Sequence, residues 1–153
     1  MFTKEEKKAI KTEFWTSFGV YMRKHNKEFG RVHWVNYKTK IKDLYFRLDL
    51  TSKKATFSID LQHVDDGIRE LFYEQFTELK VVLHDAVGEE LIWDEIVFNE
   101  FEKPVSKIHI ELENVNIYNK NDWQEVFVFF EKRIVGLHRF WLDFNEIFIQ
   151  LQN

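Results

Sequence analysis

The sequence predicts an α+β fold, in which an antiparallel or mixed sheet of about four to five strands packs with three helices. Two patterns support this class: apolar residues every third or fourth position predict helices, and alternating apolar and polar residues predict strands. The elements follow in the order α-β-β-(β)-α-β-β-α, which is typical of layers around one core. With 153 residues and an apolar fraction of 44%, we expect a single globular domain over residues 1–153.

Three stretches have the spacing of amphipathic helices. The first covers about residues 4–25 and carries lysines and arginines between its apolar positions. The second covers residues 65–88, where Asp65 or the aspartate after it can cap the first turn and Gly88 ends the helix. The third is the longest and most aromatic, over residues 121–150.

The clearest hairpin lies in residues 44–61, where apolar residues alternate with polar ones on both sides of a polar turn. If the turn is centred on residues 52–53, the numbers of facing residues sum to 105. Asp43 then faces Gln62, and Asp60 lies on the same polar face. The sequence therefore places these three side chains at one end of the hairpin.

The remaining β-prone stretches are shorter. Residues 31–37 form one with weak periodicity, which is the optional third strand of the predicted order. Residues 91–98 form an aromatic strand, and residues 108–112 alternate after a turn marked by Pro104. We therefore expect a second hairpin between the second and third helices.

Composition excludes several classes of function. The chain has no cysteine, which excludes disulfides, thiol catalysis and cysteine-ligated metals and fits a reducing cytoplasm. Its start lacks a signal-peptide core, and no run approaches the roughly 18 apolar residues of a membrane span. The glycine-loop and serine-hydrolase motifs are also missing from the sequence. We therefore expect a cytoplasmic location and no membrane partner.

Charge is distributed unevenly along the chain. Residues 1–42 hold 11 Lys+Arg and four Asp+Glu, a balance of +7, whereas residues 43–153 have a balance of −11. A basic region of this kind can bind phosphates or an acidic partner. The candidate binding residues are Lys7, Lys8, Lys11, Lys38, Lys40 and Lys42. The alternative is a solvated face whose lysines pair with the acidic remainder of the molecule. Trp34, Tyr37 and Tyr45 lie among the basic residues, where they serve either as core or as stacking platforms.

Asp43, Asp60 and Gln62 are the candidate catalytic residues. Two carboxylates and an amide within reach of one another suit a hard divalent cation such as Mg²⁺. In that interpretation Asp43 and Asp60 hold the metal and Gln62 orients a water molecule. The alternative is a plain solvated polar face of the sheet.

This layout resembles the PD-(D/E)XK nuclease superfamily, whose core has a helix, three strands, a helix and a strand. The resemblance implies that Asp43 takes the role of the first aspartate and Asp60-Leu61-Gln62 that of the Asp/Glu-x-Lys motif. No proline precedes Asp43, and Gln62 stands in place of the lysine. We therefore expect a degenerate, non-catalytic site if the relationship holds.

A wider set of segments resembles a bacterial domain family of unknown function. The segments are Phe14–Phe18, Trp34–Lys42, Tyr45–Asp49, Arg69–Phe76, Val115–Ile117, Asp122–Trp123 and Arg133–Trp141. Members of that family occur alone or on the C-terminal side of nuclease-like modules. The resemblance thus implies a connection with DNA metabolism or defence and names no reaction.

The sequence leads to three hypotheses about function. The first is a non-catalytic binding or accessory module whose basic N-terminal region binds nucleic acid or a protein partner. The second is a divalent-metal-dependent nuclease of the PD-(D/E)XK type. The third is a homo-oligomer that associates through the aromatic residues of the final helix. Those residues are Phe127, Phe129, Phe130, Phe140, Trp141, Phe144 and Phe148.

Overall fold

A computed structural model describes residues 1–152 of the chain. Its helices and strands are α1 (Lys4–Tyr21), α2 (Asn26–Phe29), β1 (Leu44–Leu50), β2 (Lys54–Leu61), α3 (Asp66–Glu78), α4 (Lys80–Val87), β3 (Ile92–Phe98), β4 (Pro104–Glu113) and α5 (Trp123–Leu151). Short 3-10 turns at Met22–His25 and Lys120–Asp122 precede α2 and α5. The predicted α+β class is therefore confirmed, with pairs of strands placed between helical segments.

The four strands form one antiparallel sheet in the order β1-β2-β4-β3. Leu44 pairs with Leu61 and Leu50 with Ala55, so the predicted register sum of 105 is confirmed. The second predicted hairpin is β3–β4, and β4 joins the first hairpin by pairing with β2. Two hairpins lying side by side thus build the sheet.

One face of the sheet is apolar and carries the helices. β1 buries every second side chain, beginning with Leu44, and leaves the side chains between them exposed. Phe46 meets Trp141 of α5 edge to face at 5.1 Å between ring centroids. On the far side of α5, Phe18 of α1 packs edge to face on Phe130 at 5.6 Å. Large aromatic rings therefore fill the core from the sheet to α1.

Two predicted elements differ from the structure. Residues 31–37 form an irregular loop, not a strand, because the order β1-β2-β4-β3 provides no strand that pairs with them. The predicted second helix is divided at Leu79 into α3 and α4. Its predicted ends are confirmed: the Asp65 carboxylate accepts the Ile68 N–H at 2.9 Å, and Gly88 is left-handed with φ 86°.

The final helix buries the aromatic set that suggested an oligomer. Phe130 and Phe148 are fully buried in the core of the chain itself, and Phe144 is half-buried against it. This burial removes the observation on which the oligomer hypothesis was based, and the oligomeric state stays a prediction. None of the helices within residues 1–152 combines the length and the apolar character that crossing a lipid bilayer requires.

Candidate functional site

A groove of about 840 Å³ lies along the β1 edge and extends across the polar face of the sheet. Trp15 of α1 and residues 35–37 of the irregular loop form one wall. The strand residues that line it are Tyr45, Phe46, Arg47, Leu48, Asp49, Lys54, Thr56, Ser58, Asp60, Lys107 and Glu111. Phe46 and Leu48 belong to the buried set of β1, and the others lie on the polar face. Strand alternation explains the polar floor, because residues that point away from the helices all lie on this face.

Asp60 lies in the floor of the groove and is 6% exposed. Its Oδ2 atom is 3.4 Å from Nε of Arg47, and the Arg47 guanidinium lies over the ring of Tyr45 at 4.6 Å. On the other side Asp60 pairs in register with Lys107 of β4. Oδ1 of Asp60 is buried and has no hydrogen-bond partner among residues 1–152. Two cations thus flank a buried carboxylate that is only partly bonded.

A second ion pair crosses the same face. Lys54 donates to Glu111 at 3.1 Å between Nζ and Oε1. Burial raises the pKa of Glu111, but the hydrogen bond and charge of Lys54 outweigh burial and lower it overall. The hydrogen bond to Glu111 raises the pKa of Lys54. Both groups therefore remain charged at neutral pH.

The groove is balanced in formal charge. Its lining contains three cations, Arg47, Lys54 and Lys107, and three carboxylates, Asp49, Asp60 and Glu111. The floor is therefore a mixed-charge polar surface. Any excess of positive charge must come from the residues around the groove.

The first basic segment near the groove is a stripe of lysines on α1. Lys4, Lys8 and Lys11 precede Trp15 by 11, seven and four residues, so all four lie on one side of the helix. The three lysines are exposed and form no ion pair within 4.0 Å in the described part of the chain. Lys7 lies on the neighbouring side, with Nζ 5.7 Å from the ring of Tyr118.

The second basic segment near the groove is the loop between Tyr37 and Tyr45. Thr39 is buried, and its hydroxyl donates to the Leu44 carbonyl at 2.9 Å and accepts from the Ile41 N–H at 3.1 Å. Because Thr39 and Ile41 point inward, the alternate residues of the loop point outward. These are Lys38, Lys40 and Lys42, which are exposed and have no ion pair in residues 1–152.

The ion pairs of the basic residues test one part of the alternative, the expectation that the lysines pair with the acidic remainder of the molecule. Lys24 of the basic region does pair with an acidic residue, Glu131 of α5, at 3.3 Å. The six candidate binding lysines have no such ion pair with the described acidic residues. Their charge is therefore available for a ligand, and whether they bind one stays a prediction.

The aromatic candidates divide into core and groove. Trp34 is 5% exposed and packs edge to face on His138, so it belongs to the core. Tyr37 is half-buried and its hydroxyl is 2.6 Å from Nδ1 of His138. Tyr45 is exposed on the polar face. Trp15, which was not a sequence candidate, lines the groove, and its position four residues after Lys11 is the signal that indicates it.

The proposed metal ligands lie near one end of the first hairpin. The Asp43 carbonyl accepts the Gln62 N–H at 2.8 Å, so the predicted pairing extends to these residues. Burial lowers the pKa of His63, and the carboxylate of Asp43 opposes that effect. Residues 1–152 contain no group of three or more His, Asp or Glu that could hold a metal ion. A two-carboxylate site at Asp43 and Asp60 stays a prediction.

The chain order also differs from the one that the nuclease resemblance implies. Two strands, β1 and β2, precede the middle helices, whereas the PD-(D/E)XK core has three strands there. The two strands that follow pair antiparallel. The described fold therefore gives the nuclease resemblance no support beyond the two aspartates.

The fold and groove define an α+β domain with an antiparallel sheet that carries helices on its apolar face and a polar groove on the other. The chain belongs to the family described as Domain of unknown function (DUF4268), which matches residues 10–145. The expected relationship to a family of unknown function is thus confirmed. No curated protein and no solved structure matches the chain significantly.

Proposed function

We propose that the protein is a non-catalytic module that binds single-stranded nucleic acid along a basic track. The basic track consists of Lys4, Lys8, Lys11 and Trp15 on α1 and of Lys38, Lys40 and Lys42 in the loop after Tyr37. These are the two segments that form one wall of the groove. One observation carries the proposal: six exposed lysines without ion pairs among the described residues lie on α1 and on the loop after Tyr37, and these two segments also supply Trp15 and Tyr37 to the groove. This combination of unneutralised cations and ring faces is typical of single-strand binding surfaces.

The charge distribution indicates that the lysines and the aromatic rings of the track contact different parts of the nucleic acid. The lysines contact phosphates, because each neutralised phosphate releases a bound counterion. Trp15 stacks on Phe130, and Arg47 lies over Tyr45, so a base would stack on the opposite face of each ring. Each stacked base contributes on the order of 1–3 kcal/mol. The mixed-charge floor of the groove has hydrogen-bonding groups for base edges and no excess charge for phosphates. A single strand fits this arrangement, since a duplex hides its base faces. The cytoplasmic location expected from the sequence agrees with such a ligand.

A second candidate is the Mg²⁺-dependent nuclease. The observation that favours it is the buried Oδ1 atom of Asp60, which lacks a partner in residues 1–152 beside the groove. In this alternative Asp43 supplies the second carboxylate and Gln62 orients the attacking water. Arg47 weakens this candidate, because its guanidinium already neutralises Asp60.

Binding is tested by fluorescence anisotropy with labelled 12-nucleotide single strands of DNA and RNA and with a duplex of the same sequence. We expect single strands to bind more tightly than the duplex. We also expect the logarithm of the association constant to fall with the logarithm of salt, by about 0.7 per phosphate contacted. The variant with Lys8→Glu, Lys11→Glu and Lys40→Glu should bind at least tenfold more weakly.

The matched control carries the same charge change away from the track, as Lys27→Glu, Lys103→Glu and Lys132→Glu. All three are exposed residues. Equal losses in the two triple variants would show that only overall charge matters and would overturn the track. Absence of binding to every oligonucleotide would overturn the proposed function. Mg²⁺-dependent cleavage that Asp60→Asn removes would establish the nuclease in its place.

A further inference from the structure

The strand β3 forms the edge of the sheet opposite to the groove edge at β1. It pairs with β4 alone, so its outer side has no strand partner in the described chain. A shift in register between Asp94 and Val97 bends the strand. Residues 96–98 follow the bend, so their unpaired backbone groups point in a different direction from those of the residues before it. Unpaired N–H and C=O groups at such an edge are a template for another strand.

Apolar side chains are exposed along the same edge. Phe98 is 69% exposed and Phe101, in the turn that follows, is 73% exposed. They are the most exposed aromatic side chains in residues 1–152. Ile96 is also exposed, two residues before Phe98 and hence on the same side of the strand. Clustered exposed apolar groups of this kind mark interaction sites.

Acidic residues predominate around these apolar groups, with Lys103 as an exposed cation at the end of the same turn. Residues 89–102 contain six Asp+Glu and neither Lys nor Arg. Glu89 and Asp94 are used within the molecule, by Arg133 and His109 respectively. The others are Glu90, Glu95, Glu100 and Glu102, which are exposed and have no ion pair within the described residues. The edge therefore combines an open backbone, apolar anchors and unneutralised carboxylates.

The negative charge of these glutamates determines which kind of segment can bind at the edge. Two copies of the chain paired through β3 would bring their glutamates together, and like charges on adjacent strands are destabilising. A segment with basic residues alternating with apolar ones meets both requirements, because its cations reach the glutamates while its apolar side chains cover Ile96, Phe98 and Phe101. Complementary charge and an added strand are a common way of recognising peptides.

We propose that the acidic edge of β3 binds an extended basic and apolar segment of a protein partner, which adds to the sheet as a fifth strand beside residues 96–98. This site is separate from the basic track: it lies at the other edge of the sheet and has the opposite charge. It can therefore exist whether or not the chain binds nucleic acid.

The probe is a fluorescein-labelled octapeptide in which Lys and Val alternate. We expect saturable 1:1 binding to the full chain, with slower hydrogen exchange of the outward-facing amides of Ile96 and Phe98 in the complex. Glu95→Lys with Glu102→Lys, and separately Phe98→Ser, should each weaken binding at least tenfold. These residues are exposed, so the variants should keep the wild-type melting temperature, which a thermal melt checks.

Two controls separate strand addition from simple attraction of charges. The first replaces every Val of the peptide by Pro, which keeps the charge but cannot donate hydrogen bonds as a strand. The second is the variant with Glu70→Lys and Glu74→Lys, which carries the same charge change on the exposed side of α3. Equal binding of the proline peptide, or equal loss in the α3 variant, would overturn the proposal. So would a lack of peptide binding combined with dimers that Phe98→Ser dissociates, because a second copy would then occupy the edge.

Discussion

Nε2 of His84 accepts a hydrogen bond of 2.9 Å from the indole N–H of Trp93. The same nitrogen accepts the backbone N–H of Leu91 at 3.1 Å. A nitrogen that accepts two hydrogen bonds carries no proton, so the ring is neutral with its proton on Nδ1. His84 thereby fixes the end of α4 to the start of β3, and protonation of Nε2 would break both bonds.

The first prediction concerns stability against pH. Burial, followed by the charge of Lys80, lowers the pKa of His84 below its ordinary value of 6.5. Burial also lowers the pKa values of His63 and His138. Below about pH 6.5 the unfolded chain therefore binds more protons than the folded chain, so the free energy of unfolding falls as the pH falls. This loss should be visible in urea midpoints measured from pH 8 to pH 5, above the range in which most carboxylates titrate.

The variant His84→Gln isolates one of these groups. The glutamine carbonyl oxygen can accept the same two N–H groups and does not titrate. We expect the variant to lose less stability than the wild-type protein between pH 8 and pH 5, whereas the difference at pH 8 should be small. Parallel losses in the two proteins would mean that the bonds to Leu91 and Trp93 do not contribute to the pH dependence.

The second prediction concerns Arg69, a fully buried cation on α3. Its guanidinium donates to the Asp66 carboxylate at 2.7 Å and to the His63 carbonyl at 3.0 Å. Asp66→Asn removes the negative charge that balances a buried positive one, and we expect a loss of about 1–3 kcal/mol in unfolding free energy. Chemical denaturation measures it. Asp65→Asn is the matched control, because asparagine caps a helix about as well as aspartate. Equal effects at the two neighbouring positions would contradict the role of Arg69.

The third prediction concerns the crossing of α4 and α5. A Cβ atom at Gly136 would overlap the carbonyl oxygen of Ala86, a backbone atom that cannot rotate away. Gly136→Ala should therefore destabilise the protein by about 1–3 kcal/mol, as overpacking typically does. Gly19→Ala is the control, since a Cβ there meets nothing within 4 Å and α1 gains helix propensity, worth about 0.5–1 kcal/mol. Thermal melts of both variants should shift in opposite directions. A stable Gly136→Ala protein would mean that the helices separate easily.

The fourth prediction concerns Tyr37, whose hydroxyl lies 2.6 Å from Nδ1 of His138 in the core. Burial raises the pKa of Tyr37, so the hydroxyl keeps its proton at neutral pH. Tyr37→Phe leaves the buried His138 nitrogen without its partner, and we expect a loss of about 1–3 kcal/mol. Tyr45→Phe removes a hydroxyl from an exposed ring and should change stability by less than about 0.5 kcal/mol. Urea titration distinguishes the two, and equal effects would argue against the buried bond.

Local patterns predicted the elements that local interactions determine. The register of the β1–β2 hairpin followed from its turn and its alternation, because a slip of one residue would move every apolar side chain to the polar face. The capping of α3 by Asp65 followed from side-chain chemistry, and the end of α4 at Gly88 followed from the backbone freedom of glycine. The strand predicted at residues 31–37 was wrong because a strand needs a neighbour, and Trp34 instead packs on His138 of α5. The break at Leu79 has no glycine or proline to signal it.

The candidate site was predicted only in part, for the same reason. Lysines on a helix and in a loop are visible in the sequence, and so is the polar face that contains Asp60. The groove itself forms where α1, the irregular loop and the sheet meet, which only the folded chain brings together. Lys107 lies opposite Asp60 through the pairing of β2 with β4, across more than forty residues of chain. Trp15 and Arg47 gain their roles from that assembly.

The order of the strands sets the distance between the two proposed ligands. β2 and β4 separate the edge strands β1 and β3, and neighbouring strands lie about 4.8 Å apart, so the edges are about 14 Å apart. A polyanion at one margin and a cationic peptide at the other would attract each other in free solution. Held on this domain, they would bind at opposite edges of the sheet. The domain would then act as an adaptor that keeps two mutually attractive chains close but unmixed.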